Sequence, residues 1–348
     1  MRVLHIAYQQ IKRLGKTRVN WAQKLSYGLV KNDHFVLDFS DRDMATFYAP
    51  LRIRDLGKRK TNQSLIDAAI NFQPDLVIAG HCDIITNSTL QAVGKSLPNT
   101  PIAHCNLDPL FVPSNVERIR HRAAVCDAVF VSTGRKELKQ FEDTPARLYH
   151  IPNPVDASIE TYNNSEKEPE ELPIDVIFCS NSNEHTRRLE IVKHLKENLD
   201  PSVKFKTFGS FGEPPVWGHD YDHALSSSRM ALNLNRQEGF YWYSSERMAQ
   251  LAGNGILQFA HESGGFQDLM PAESIVYFSD ESELKQKIES FHKDDDKRKK
   301  WAANARAFFH NQINTKLFSQ YIVEASLQLP FTHDYVWARD INLDGSMK

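Results

Sequence analysis

Short apolar runs of strand length recur along this chain, separated by longer stretches in which apolar residues return every three or four positions. RVLHIAY, HFVLDFS, DLVIAG, PIAHCN and AVFVS are such runs in the first half, while KTRVNWAQKLSYGLV and NQSLIDAAINF between them carry helical spacing. Strands of this kind alternating with helices predict a parallel sheet wrapped by helices. The polar, acidic stretch DASIETYNNSEKEPEELP, residues 156–173, interrupts the pattern and predicts a linker. A second series then begins: IDVIFCS, RRLEIVKHLKENL, VKFKTFG, YDHALSSS, MALNLN, SERMAQLAG, GILQFA and SIVYFS, followed by a helix through ESELKQKIESFH. The run HKDDDKRKK after it reads as a solvated charge run, and RKKWAANARAFFHNQINTKLFSQYIVEASLQL again has helical periodicity.

The chain of 348 residues, 41% hydrophobic and 25% charged, is long enough for two such units with separate cores. Its apolar runs are far shorter than the roughly 20 residues that span a bilayer. The N-terminus starts as a strand rather than a signal peptide, which predicts a cytoplasmic protein. Cys82, Cys105, Cys126 and Cys179 lack C-x-x-C spacing and mostly lie in apolar surroundings, so reduced, buried thiols are expected.

Charge is divided unevenly. Up to Asn153 there are 21 Lys and Arg against 14 Asp and Glu; the remainder has 21 against 30. The basic excess gathers in IKRLGKTR, RIRDLGKRK and ERIRHR, which read either as solvated helix faces or as contacts for an anionic membrane or an acidic acceptor. No aromatic-basic interleaving or recognised module points to nucleic acid.

In parallel sheets, ligands bind beyond the carboxyl ends of the strands, where helix N-termini present N–H groups and the positive dipole end. The polar residues that follow the apolar runs are therefore the candidates: Gly15 and Lys16, His81 and Asp83, Asn106 and Asp108, Ser180 to Arg188, Asn233 to Arg236, and Glu262 to Asp268. Asp108 reads either as a cleft carboxylate that acts as general base or positions the acceptor, or as a turn former ahead of Pro109. His81 and His104 read equally as functional or as satisfied core histidines.

The blocks DVIFCSNSNEHTRRLEIVKHL, VWGHDYDHALSSSRMALNLNR and SSERMAQLAGNGILQFAHESGGFQDLM occur in this order over about 150 residues. Together they resemble the group 1 glycosyltransferases of the GT-B fold, and within them the branch related to the spore-maturation glycosyltransferases. IAHCNLDPLF and IPNPVD share the likeness. The resemblance implies an α/β fold of two Rossmann-like domains facing an interdomain cleft. An acceptor domain would cover 1–155, the linker 156–173, a nucleotide-sugar domain 174–313, and helices returning to the first domain 314–348. It implies a glycosyltransferase acting in polysaccharide biosynthesis, with a nucleotide sugar as co-substrate and a glycan or lipid-linked acceptor. No metal is expected, because helix dipoles and arginines neutralise diphosphate and no D-x-D motif is placed to hold a cation.

The donor set implied is Ser180, Asn181, Arg187, Arg188, Asn235, Tyr243, Ser244, Ser245, Glu246, Arg247, Gln250, Gly264, Gly265 and Asp268. Ser244 and Ser245 would cap the helix starting near Glu246 and direct its N–H groups at phosphate; Arg187, Arg188 and Arg247 would add charge. Gly264 and Gly265 would let the backbone approach a sugar, and Asp268 would orient its hydroxyls. Asp108 and His81 are the catalytic candidates; Gly15, Lys16 and His104 are those for the acceptor. Gln250 stands where the family usually places a glutamate and cannot carry its charge. That departure keeps open a non-catalytic nucleotide-sugar sensor, beside an epimerase or hydrolase on the same fold.

Overall fold

Runs of β-branched and aromatic residues buried on both faces become central parallel strands, and the amphipathic segments between them become the covering helices. The computed structural model describes residues 1–17, 20–180 and 186–339, save the side chain of Arg135. The chain divides into two compact units, one made of Met1–Pro152 together with the chain from Thr315 onward, the other of Asn153–Asn314.

The first unit runs β1 (Arg2–Ile6), α1 (Trp21–Lys31), β2 (Phe35–Phe39), α2 (Asp41–Tyr48), α3 (Arg54–Phe72), β3 (Leu76–Ala79), α4 (Asn87–Ser96), β4 (Ile102–Asn106), α5 (Pro113–Ala123), β5 (Ala128–Val131), α6 (Arg135–Leu138) and β6 (Arg147–His150). Its six strands are parallel in the order β2-β1-β3-β4-β5-β6. The winding reverses between β1 and β3, so the loops that leave these strands diverge. Two backbone bonds hold them at the point of divergence: Gly80 N–H donates to the Ile6 carbonyl at 2.8 Å and Tyr8 N–H to that of His81 at 3.2 Å.

The second unit runs β7 (Ile174–Cys179), α7 (Arg187–Asn198), β8 (Phe205–Phe208), α8 (His219–Ser226), β9 (Ser228–Leu232), α9 (Glu246–Gly253), β10 (Leu257–His261), β11 (Val276–Phe278), α10 (Glu281–Lys293) and α11 (Asp295–Gln312). Its strand order is β11-β10-β9-β7-β8, again all parallel, with the reversal between β7 and β9. Alternate residues of one strand serve opposite layers. Val176 and Phe178 pack with Leu195, Ile288 and Phe291 on one face, while Ile177 packs with Leu225, Leu251 and Ile256 on the other.

Residues 156–173 are a packed part of the second unit rather than a free connector. Asn164 is fully buried, its Nδ2 donating to the carbonyls of Leu225 (2.8 Å) and Ser228 (2.9 Å). Its own carbonyl accepts from Arg298 Nη1 at 3.0 Å. Polarity here marks backbone and side chains satisfied by distant partners, not exposure. The same bond marks the exception in HKDDDKRKK, where Lys293, Asp294, Asp296, Lys297 and Lys300 are exposed as expected of a solvated run. Arg298 is fully buried, held by Asp295 at 2.6 Å and by the Asn164 and Lys167 carbonyls, and Arg229 bridges Asp175 (2.5 Å) and Asp295 (2.8 Å) beside it. A charge stays buried where every donor finds an acceptor.

After Asn314 the chain re-enters the first unit as α12 (Thr315–Leu327). α12 lies close against α1, where a Cβ on Gly28 would sit 2.1 Å from the Thr315 carbonyl oxygen, and Trp21 meets Phe318 edge-on at 5.8 Å. Tyr321 of α12 contacts Phe130, Tyr149 and Trp337, so the segment after α12 contributes packing, with Trp337 buried and the Tyr335 hydroxyl donating to Glu324 at 2.7 Å. All four cysteines are free; burial pushes the thiols of Cys82, Cys126 and Cys179 up to about 12, and that of Cys105 well up. Among the described residues, no helix is long and apolar enough to cross a membrane.

Gly28→Ala should therefore lower the stability of the first unit by about 1–3 kcal/mol, overpacking against backbone outweighing the gain in helix propensity. A shift of its denaturant midpoint checks this; an unchanged midpoint would mean that α12 yields the space.

Candidate functional site

The reversal between β7 and β9 opens a crevice at the carboxyl edge of the second sheet, and Arg247 in the first turn of α9 spans it. Its Nη1 donates to the Cys179 carbonyl at the end of β7 (3.3 Å), its Nη2 to the Leu234 carbonyl beyond β9 (2.5 Å), and its Nε to Asn233 Oδ1 (3.3 Å). The guanidinium is thus a bracket between diverging strands. Its charge lies at the crevice, but three of its N–H groups are already engaged.

Ser245 is the N-cap residue of α9, in extended conformation, yet its hydroxyl makes no capping bond. Its Oγ is buried without a hydrogen-bond partner. This differs from the expected cap: the hydroxyl is left over at the end of the helix where N–H groups converge. Ser244 is buried, and its carbonyl accepts from Asn153 Nδ2 at 2.9 Å. Glu246 opens the helix, where an acid is favoured by the dipole. Ser180 directly follows β7, its N–H on the Phe208 carbonyl at 2.9 Å. Asn181 lies outside the described residues.

The loop after β9 is closed by its own side chains. Glu238 accepts from Asn235 N–H at 2.9 Å, and Asn235 Nδ2 reaches the Tyr243 carbonyl at 3.5 Å. Burial raises the Glu238 carboxyl above its usual range, against the opposing pull of the Asn235 amide and of His261 and Arg247. Glu238 escaped the sequence reading; the signal was an acid three residues after the strand-like run ALNLN, at the same edge as the other candidates.

Tyr241 and Trp242 stack at 5.0 Å and fasten the double-glycine turn. Trp242 donates from its backbone to the Gly264 carbonyl (2.8 Å) and from Nε1 to that of Gly265 (2.9 Å), while the Tyr241 hydroxyl donates to Asp268 Oδ2 (2.9 Å). Gly265 has φ +69°, and a Cβ there would meet the Tyr241 ring at 2.4 Å. The need for glycine is accordingly met by packing against Tyr241, and Asp268 is held by the same ring. At Gly264 the nearest atom to a Cβ is 3.3 Å away, on Phe266.

Two donor candidates have partners elsewhere. Gln250 is buried, and its Oε1 accepts from the Tyr221 hydroxyl of α8 at 2.8 Å. Arg187, at the start of α7, is exposed and paired with Glu190 (3.3 Å) and Glu281. Arg188 beside it is half-buried.

In the first unit, the carboxyl ends of β3 and β4 flank a cavity of about 480 Å³ whose lining includes His81, His104, Asn106, Arg118 and Arg122. His104 Nδ1 meets the Ala79 carbonyl at 2.8 Å, which makes Nδ1 the donor and leaves Nε2 as an acceptor. Burial lowers its pKa to about 3, so the ring is neutral, and Nε2 is buried without a partner. Asp108 lies between Arg118 (2.5 Å) and His81 Nε2 (3.6 Å), its N–H on Asn106 Oδ1 (2.8 Å). Gly15 and Lys16 are not among the residues lining this cavity; they sit on the exposed turn after β1. Among the described residues, no group of three or more His, Cys, Asp or Glu is placed to hold a metal ion.

Two parallel-sheet units of this kind have the fold of the GT-B glycosyltransferases. The UDP-glucose complex of HepE from Anabaena is similar with a TM-score of 0.64 at 14% identity, covering 94% of this chain and all of that one. Sucrose-phosphate synthase from Thermosynechococcus elongatus is similar at 0.66 and 12% identity, covering 94% of this chain and 98% of that one. Residues 187–323 match a family described as glycosyl transferase-like. No curated protein matches the chain.

Arg247→Ala would leave the carbonyls of Cys179 and Leu234 and the Asn233 Oδ1 without their donor, and should destabilise the second unit by about 1–3 kcal/mol. Arg247→Lys should recover little of this, since an ammonium cannot reproduce the fork. Thermal unfolding of both variants checks the point.

Proposed function

We propose that the protein is a metal-independent glycosyltransferase that binds a nucleotide sugar at the crevice of the second unit and an acceptor hydroxyl in the cavity of the first. The observation that carries this reading is the unspent Ser245 hydroxyl beside Arg247 at the N-terminus of α9. A diphosphate needs such donors together with a positive field. HepE, a GT-B neighbour in fold, has been crystallised with UDP and with UDP-glucose, which supports a nucleotide sugar as the ligand class. The likeness to the spore-maturation branch in sequence blocks belongs to the same reading, as does an acceptor that is a glycan or a lipid-linked sugar.

In the reaction, the acceptor oxygen forms a bond to the anomeric carbon while the bond from that carbon to phosphate oxygen breaks. The electron pair leaves with the nucleoside diphosphate, whose growing charge is met by the α9 N–H groups, Ser245, Arg247 and Arg188. The acceptor proton passes to His81. Asp108, shared between Arg118 and His81, orients the imidazole and leaves its other nitrogen to take the proton. The neutral His104, with Nε2 unpartnered, accepts a hydrogen bond from a second acceptor hydroxyl. Gln250 does not favour the sensor reading, because its amide oxygen is taken by the Tyr221 hydroxyl and carboxylates stand nearby in sequence, Glu238 in the loop after β9 and Glu246 at the start of α9.

A panel of nucleotide sugars assayed with acceptor and with EDTA tests the proposal: turnover should persist without free metal, and failure of every donor to bind would refute it. Asp108→Asn should cut turnover by at least about 100-fold and leave donor affinity within about twofold. Arg188→Ala should weaken UDP binding about 10- to 150-fold in calorimetric titration, the loss of a charge-assisted bond.

A further inference from the structure

The first unit exposes apolar side chains at two tips that its fold has no use for. Leu14 and Leu51 are 86% and 90% exposed, and both stand in left-handed backbone, with φ +51° and +54°. That region disfavours a leucine, and glycine or asparagine would fit it at less strain. Phe47, 78% exposed, lies between them in the chain on α2, and Leu56 is exposed in the first turn of α3. The turn that carries Leu14 is fixed to α2: the N–H groups of Ile11 and Lys12 donate to Asp43 at 3.0 and 3.3 Å, and Lys12 Nζ to Thr46 at 3.3 Å. Phe47 follows Asp43 by one helical turn, on the same face. α2 and α3 are themselves close-packed, a Cβ on Gly57 falling 1.9 Å from the Ala45 carbonyl oxygen. The apolar tips and their supports are therefore one continuous surface.

The surface is strongly basic. Residues 11–16 and 51–60 hold eight lysines and arginines against one acid, Asp55. Asp55 pairs with Lys58 at 2.9 Å; among the described residues, the side chains of Arg13, Lys16, Arg52, Arg54 and Arg59 make no hydrogen bond or ion pair. The third basic cluster, by contrast, is spent inside the fold: Arg118 on Asp108, Arg120 on both oxygens of Asp143, Arg122 on Asn87 and the carbonyls of Cys82 and Ile85. Of the three clusters, the two around the exposed leucines keep cations for an outside partner among the described residues.

We propose that this surface docks on an anionic membrane, with Leu14 and Leu51 entering the headgroup–acyl boundary and the surrounding lysines and arginines facing lipid phosphate. Apolar residues within a basic rim match both layers of a lipid surface. A second copy of the chain is a poor occupant, because a two-fold contact would set the same cations against each other. A purely polyanionic partner would leave the leucines without a role.

Flotation with phosphatidylcholine vesicles, with and without phosphatidylglycerol, tests the proposal on the full chain. Binding is expected only with the anionic lipid, falling at least about tenfold as salt is raised to about 1 M, where the screening length is about 3 Å. Leu14→Ser with Leu51→Ser should weaken it roughly tenfold per leucine with unchanged circular dichroism. In Leu51→Trp, tryptophan emission should shift to shorter wavelength on adding anionic vesicles. No binding at low salt, or equal affinity of the double serine variant, overturns the proposal; equal affinity would assign the surface to charge alone. A dimer that the serine variant converts to monomer, with no vesicle binding, would make it a contact between copies.

Discussion

Everything placed at the edge of either sheet follows from one constraint: a parallel sheet that winds first one way and then the other must part its loops where the direction changes. The gap cannot be filled by regular backbone, so side chains hold it. In the second unit Arg247 does this with three hydrogen bonds, to the end of β7 and to the loop that leaves β9, which brings a cation to the edge as a by-product of closing the fold. In the first unit two backbone bonds close the gap, and the adjoining cavity is left to His81, His104 and Arg118. Under the proposed function, structure and chemistry draw on the same residues, so a substitution at Arg247 would act on both.

The two sheets were legible because strands buried on both faces write themselves as unbroken apolar runs. Less legible were the segments whose burial depends on partners far along the chain. HKDDDKRKK is largely exposed, but Arg298 within it is buried because the carbonyls of Asn164 and Lys167, some 130 positions earlier, supply acceptors for it. Residues 156–173 look like a connector for the same reason. α3 begins earlier than its apolar spacing suggests, since its first turns pack through Gly57 and Thr61 rather than through large side chains.

At the site, sequence located the edge but not the direction of each side chain. Arg247 and Gln250 stand three residues apart on one helix, yet one reaches the strand ends and the other α8, a division set by where Tyr221 lies. The double glycine read as room for a sugar; what the neighbouring residues could not show is that the Tyr241 ring lies where a Cβ on Gly265 would point. Glu238 went unnoticed because nothing in its neighbours shows that the Asn235 amide folds back onto it.

The return of α12 has a consequence for how the molecule is made. Because the first unit is completed only by residues from Thr315 onward, its six strands leave the ribosome long before the helix that covers α1. Until then the groove at Gly28 and the flank of Trp21 stay bare while the whole second unit is synthesised and folds. The nascent chain therefore passes through a stage in which the later-made half is finished first, and the older half is the one that waits for protection.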